Sequence, residues 1–224
     1  MDRKDRPDEV TSADLTPVQQ RQAAALALWR LRAPLLGFTF DAEWGIDVSV
    51  LESMFLAAAS APVEESARRY DQATTELRGA PLFTSEVDPE VRELVQLETV
   101  VGLLTFGEVL ETHDPDKIET IRDCPRGLAG HLDRLVEDSF WSDPAEDAHR
   151  RYLATLPERV RRHGLGYLAS RNLAVEFDCH EALPALPPGE GLLDTSAGRD
   201  LITHCDDVGA ELVRALRWLN TTGY

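Results

Sequence analysis

The chain has 224 residues, with 23 Lys+Arg against 40 Asp+Glu, for a formal net charge of −17. Hydrophobic residues make up 43% and charged residues 28%, so the chain can bury a core and is neither wholly disordered nor collagen-like. This acidity argues against nucleic-acid binding, which needs basic patches to displace phosphate counterions, and against docking on an anionic membrane surface.

Residues 1–13 are polar, carry Pro7 and read as a disordered tail before one helical domain over 14–224. The tail is too charged for a signal peptide, and no later run reaches the ~18 apolar residues of a membrane span. Thr16, Pro17 and Gln19 then supply an N-cap, a first-turn proline and a capping box. They predict a helix that continues through Arg32 and stops before Pro34. An aromatic stretch follows, with Phe38, Phe40 and Trp44 close together. Asp47 can cap a second helix, and Pro62 opens a third that Gly79 closes.

Asp88-Pro89 begins the longest helical stretch, with Val91, Leu94, Val95, Leu97, Val101, Leu104 and Val109 at helical spacing. The same Asp-Pro start recurs at Asp114-Pro115 and Asp143-Pro144. Aspartate accepts bonds from first-turn amides that lack partners, and proline has no amide to leave unpaired. Gly127 to Phe140 is amphipathic, and Pro144 to His163 reads as a helix interrupted at Pro157. Leu173 to Cys179 alternates apolar and polar residues, so a short strand competes with a helix there, its partner being Gly37–Phe40. Prolines and glycines make Ala182 to Asp194 a loop. A last helix from Ser196 to Leu219 turns Leu201, Cys205, Val208, Leu212, Leu216 and Leu219 to a core. The sum predicts an all-α bundle of about eight helices in a single domain, with at most a minor two-stranded β element.

Charge is uneven along the chain. Between Ala61 and His113 four arginines face eleven acids, whereas Pro144 to Gly166 is the one basic stretch. There Arg150, Arg151, Arg159 and Arg162 could grip a phosphate or carboxylate two oxygens at a time, or simply pair with acidic neighbours. Three cysteines far apart in sequence, Cys124, Cys179 and Cys205, read as reduced thiols of a cytoplasmic protein.

On the last helix Asp200, His204, Asp207 and Glu211 follow one another at +4, +3 and +4, on one stripe beside the apolar face. Carboxylates flanking a histidine stabilise its imidazolium or orient it on a metal, which makes His204, Asp200 and Asp207 the candidate catalytic residues. Glu146 and His149 form an E-x-x-H pair, and with His204 they make the candidate metal ligands. The di-metal bundle template wants two such pairs, and this chain has one. His113-Asp114 reads as the end of one helix and the start of the next. No motif of a P-loop, Rossmann fingerprint, nucleophile elbow or zinc protease occurs, and none names a cofactor. The sequence therefore points first to a non-catalytic acidic protein that binds a basic protein partner or a small-molecule ligand. A small-molecule enzyme with a carboxylate–histidine site inside the bundle is the alternative.

Overall fold

The run from Ala24 to Trp29 has no polar side, and its helix accordingly has no solvent face. The computed structural model describes residues 14–61, 64–84, 86, 88–142 and 165–222. In it α1 (Pro17–Trp29) buries all six residues of that run. Thr16 caps it as the sequence predicts: its Oγ1 accepts from Gln19 N, and the Gln19 side chain accepts from Thr16 N at 2.9 Å. The helix breaks at Arg30–Leu31, earlier than expected. Pro34 lies in the first turn of a short second helix, α2 (Arg32–Leu36), where its missing amide costs no hydrogen bond.

The remaining helices are α3 (Val48–Ala59), α4 (Glu64–Arg78), α5 (Val91–Thr112), α6 (Pro115–Ser142), α7 (Tyr167–Ala182) and α8 (Ser196–Thr222). Asp47 caps α3 through Ser49 N, and Asp114 caps α6 through Asp116 N. His113 ends α5 in the left-handed conformation, with φ 55°, so the His-Asp pair is helix punctuation as read. The Asp88-Pro89 start is displaced: α5 begins after Glu90, whose amide donates to the Glu93 carboxylate, and Asp143-Pro144 lies outside the described residues. No strand occurs among the described residues. Leu173 to Cys179 lies wholly within α7, which resolves the alternative left open there in favour of helix. The alternation arose because α7 buries polar residues, Asn172 and Glu176, among its apolar ones.

Helix α1 touches α3, α5, α6, α7 and α8, and the other helices wrap around it. The six residues predicted for the core face of α8 are all buried. On α5 the expected face is partly wrong. Val101 is 55% exposed, while Gln96 and Thr99 are fully buried. This helix meets α1, α2, α3, α4 and α6, so apolar residues occupy more than one side and give no single stripe. Gln96 is tolerated inside because its amide reaches two backbone carbonyls at the end of α2, those of Leu35 and Phe38.

Where α1 ends, Arg30 enters the core with 2% of its surface exposed. Its Nη1 donates to both the carbonyl and the Oδ1 of Asn172, at 3.1 and 2.9 Å. One turn along α7, Glu176 faces Arg122 and Arg126, themselves one turn apart on α6. Arg122 donates through Nε and Nη2 to Glu176 Oε1, at 3.1 and 2.8 Å, and Arg126 through Nε to Oε2 at 2.8 Å. Arg30 stands 3.9 Å from the same Oε2. One carboxylate thus ties α1, α6 and α7 together. Burial alone would raise the Glu176 pKa, but the hydrogen bond from Arg126 and the three guanidinium charges outweigh it and hold the group below its ordinary value. A second tie joins α6 and α7 nearer the start of α7. Asp133 on α6 accepts from Leu168 N and Ala169 N at 2.9 and 2.8 Å, capping α7 from outside its own chain segment. Gly166 permits it: a Cβ there would stand 2.2 Å from Asp133 Cγ.

Candidate functional site

Helix α4 is amphipathic by strict spacing. Tyr70, Ala73, Thr74 and Leu77 are buried, and the opposite face is charged. Glu64 and Glu65 stand at its N-terminus and Arg78 at its C-terminus, complementing the helix dipole. Arg68 and Arg69 bridge back to Glu65 at 3.1 and 2.9 Å. The helix lies against α3 and α5. On α5 Gly107 faces it, where a Cβ would stand 3.4 Å from Thr74 Oγ1 and 3.5 Å from the Tyr70 ring. Tyr70 itself is fixed. Its hydroxyl donates to the Leu103 carbonyl at 2.6 Å, its ring meets Phe106 at 5.3 Å, and burial pushes its pKa well above the ordinary value.

A glycine on one wall and small threonines on the other leave a groove of about 330 Å³ between α4 and α5. Four carboxylates line it, Glu64, Asp71, Glu108 and Glu111, against the guanidiniums of Arg68 and Arg78. Both cations already face carboxylates: Arg68 bridges Glu64 and Glu65, and Arg78 stands 3.9 Å from Glu108. Lys117 forms a short ion pair with Glu108, and its hydrogen bond and charge hold that carboxyl below its usual range. Among the described residues, no ion pair engages Asp71 or Glu111. Buried at the wall, Thr74 Oγ1 makes no hydrogen bond. The arrangement offers oxygen acceptors and a net negative field. It can hold a cationic group by hydrogen bonds and Coulomb attraction.

A second hollow lies over the aromatic loop, lined by Phe38, Phe40, Ile46 and Val48. Trp44 there is buried, and Phe40 packs on it at 6.3 Å.

The structure separates the residues singled out from sequence. Asp200, His204 and Asp207 do share one stripe of α8, and that stripe is exposed to solvent. Glu211, the fourth member, is drawn aside by Arg171 and Arg214, at 3.4 and 3.8 Å. Glu146, His149, Arg150, Arg151, Arg159 and Arg162 lie outside the described residues. Among the described residues, no three His, Cys, Asp or Glu side chains are placed to share a metal ion. The groove residues Asp71 and Thr74 were not singled out from sequence. The signal that could have found them was the acid excess between Ala61 and His113. Arg30, Arg122, Arg126 and Glu176 were missed too, because a charge inside an apolar run reads as an interruption until its partner is seen.

The comparisons with known proteins are negative throughout: no protein-family model matches the chain, and no curated protein or solved structure matches it.

Proposed function

We propose that this is a non-catalytic binding protein whose α4–α5 groove takes a basic segment of a protein partner. One observation carries the reading. The most acidic stretch of the sequence forms both walls of a groove in which acids outnumber bases and the bases are already engaged. A lysine or arginine side chain entering it would meet Asp71 and Glu111. The net charge of −17 adds long-range attraction that speeds encounter with a basic partner. Three free cysteines are in keeping with a reducing, cytoplasmic setting.

The test is fluorescence anisotropy with a labelled arginine-rich peptide across a range of ionic strength. Binding should weaken as salt rises. Neutralising Asp71 and Glu111 together, as Asp71→Asn/Glu111→Gln, should cost about fivefold in affinity, at roughly 0.5 kcal/mol for each exposed carboxylate. Neutralising Asp200 and Asp207 on α8 changes net charge equally and should cost less than about twofold by the same principle. Equal losses in the two double variants would reduce the binding to bulk charge and refute the groove. An affinity indifferent to salt would remove the electrostatic basis altogether.

A further inference from the structure

Two of the three cysteines, 26 residues apart in sequence, meet inside the bundle. Cys179 lies in the last turn of α7 and Cys205 on the core face of α8, with 5% and 0% of their surfaces exposed. Helices α7 and α8 pack against each other, and the two thiols interact without being joined. Arg30 lies close enough for its charge to act on both. That guanidinium is 2% exposed, and its Nε makes no hydrogen bond. A buried cation near a thiol favours its thiolate. Glu176 and Asp178 on α7 and Asp206 on α8 oppose it.

We propose that Cys179 and Cys205 form a redox lock, closing to a disulfide that bolts α7 to α8 when the protein meets a small peroxide. Their environments are unequal. The hydrogen bond from Cys205, with help from Arg30, brings the Cys179 thiol below its ordinary pKa, whereas burial drives the Cys205 thiol well above its own. Cys179, the more exposed of the two, is the attacking sulfur and Cys205 the resolving one. In the first step the Cys179 thiolate attacks one oxygen of hydrogen peroxide. The O–O bond breaks, a sulfenic acid forms, and the departing hydroxide leaves as water with the proton Cys179 had released. In the second step Cys205 sulfur attacks Cys179 sulfur, the S–O bond breaks, and hydroxide leaves as water with the Cys205 proton. Two thiols and one peroxide become one disulfide and two waters; the sulfurs lose two electrons and the peroxide gains them.

The test uses the full chain, folded and reduced. It is treated with hydrogen peroxide, quenched, unfolded, alkylated and weighed by mass spectrometry. The expected product is monomeric, has lost two hydrogens and accepts one alkyl group, with peptide mapping linking Cys179 to Cys205. Its melting temperature should exceed that of the reduced protein and return on treatment with dithiothreitol. Cys124→Ala should form the same disulfide. Cys205→Ala should stop at a sulfenic acid on Cys179 that a dione reagent traps. Three alkylated thiols, oxygen added to single cysteines without a cross-link, a link between chains, or an unchanged melting temperature would each overturn the lock. The wild-type measurement decides the matter even where a variant fails to fold.

Discussion

Replacing Glu176 by glutamine keeps the shape of the side chain and removes the one fully buried negative charge among three guanidiniums. Glutamine can accept hydrogen bonds from one oxygen, where the carboxylate serves Arg122 and Arg126 with two and faces Arg30 with the second. Removing one member of a buried ion pair costs about 3–5 kcal/mol, chiefly because the other charge stays desolvated. The conservative substitution belongs at the low end, about 3 kcal/mol, or roughly a hundredfold in the folded-to-unfolded ratio. For a chain of this size that lowers the melting temperature by about 6–12 °C. The pH dependence has a definite sign. The Glu176 pKa is lower in the folded protein than its ordinary value, so the folded state gains stability from it above the unfolded pKa, near 4.3. That gain disappears as pH falls through the folded value. Urea titrations followed by circular dichroism at neutral pH and at several acid values would measure it. The gap between wild type and Glu176→Gln should be full at neutral pH and close in acid. A gap below about 0.5 kcal/mol at neutral pH would place the variant among ordinary surface substitutions and refute the argument. So would a gap that does not change with pH.

Four further outcomes follow from local geometry. Asp133→Ala removes an acceptor shared by two amides at the start of α7 and should cost about 1–2 kcal/mol in denaturant titration. Gly166→Ala should cost at least as much by pushing Asp133 away, and a neutral result would show that the cap can shift freely. Tyr70→Phe loses the 2.6 Å bond to the Leu103 carbonyl and leaves that carbonyl buried, for about 1 kcal/mol in the same assay; no change would mean the carbonyl finds another donor. Burial and the nearby Glu98 charge push the Cys124 thiol up to about 12. At pH 8 that leaves on the order of one thiolate in ten thousand, so iodoacetamide should spare Cys124 in the native protein. Labelling as fast as in an unstructured peptide would contradict it.

Helix ends were the most legible part of the sequence, because caps act locally. Thr16, Asp47 and Asp114 each bond an amide two or three residues away, so their meaning survives without knowledge of the fold. Helix faces were legible only where one side of a helix is buried. The final helix obeys this and its core face was read correctly; α5, enclosed on several sides, does not, and Val101 was assigned inward wrongly. The α4–α5 groove was legible as charge but not as shape. An acid count finds the stretch, but only packing reveals that α4 and α5 leave a groove between them.

The buried arginines bear on the surface as well as on the core. Net charge computed from composition treats every charge as equally exposed. Among the described residues Arg30 and Arg122 are 2% exposed and Arg126 is half-buried, while two carboxylates, Glu176 and Asp133, are buried as well. Glu119 and Asp123, which pair with Arg122 and Arg126, sit at the rim of the cluster. The buried charges nearly cancel, so among the described residues the acid excess lies on the surface. Solvent-facing acids far from the knot receive little compensation from it, since screening confines exposed charge interactions to about a Debye length. The acidic α4–α5 face, built from helices that contribute nothing to the arginine knot, keeps its full field for a cationic partner.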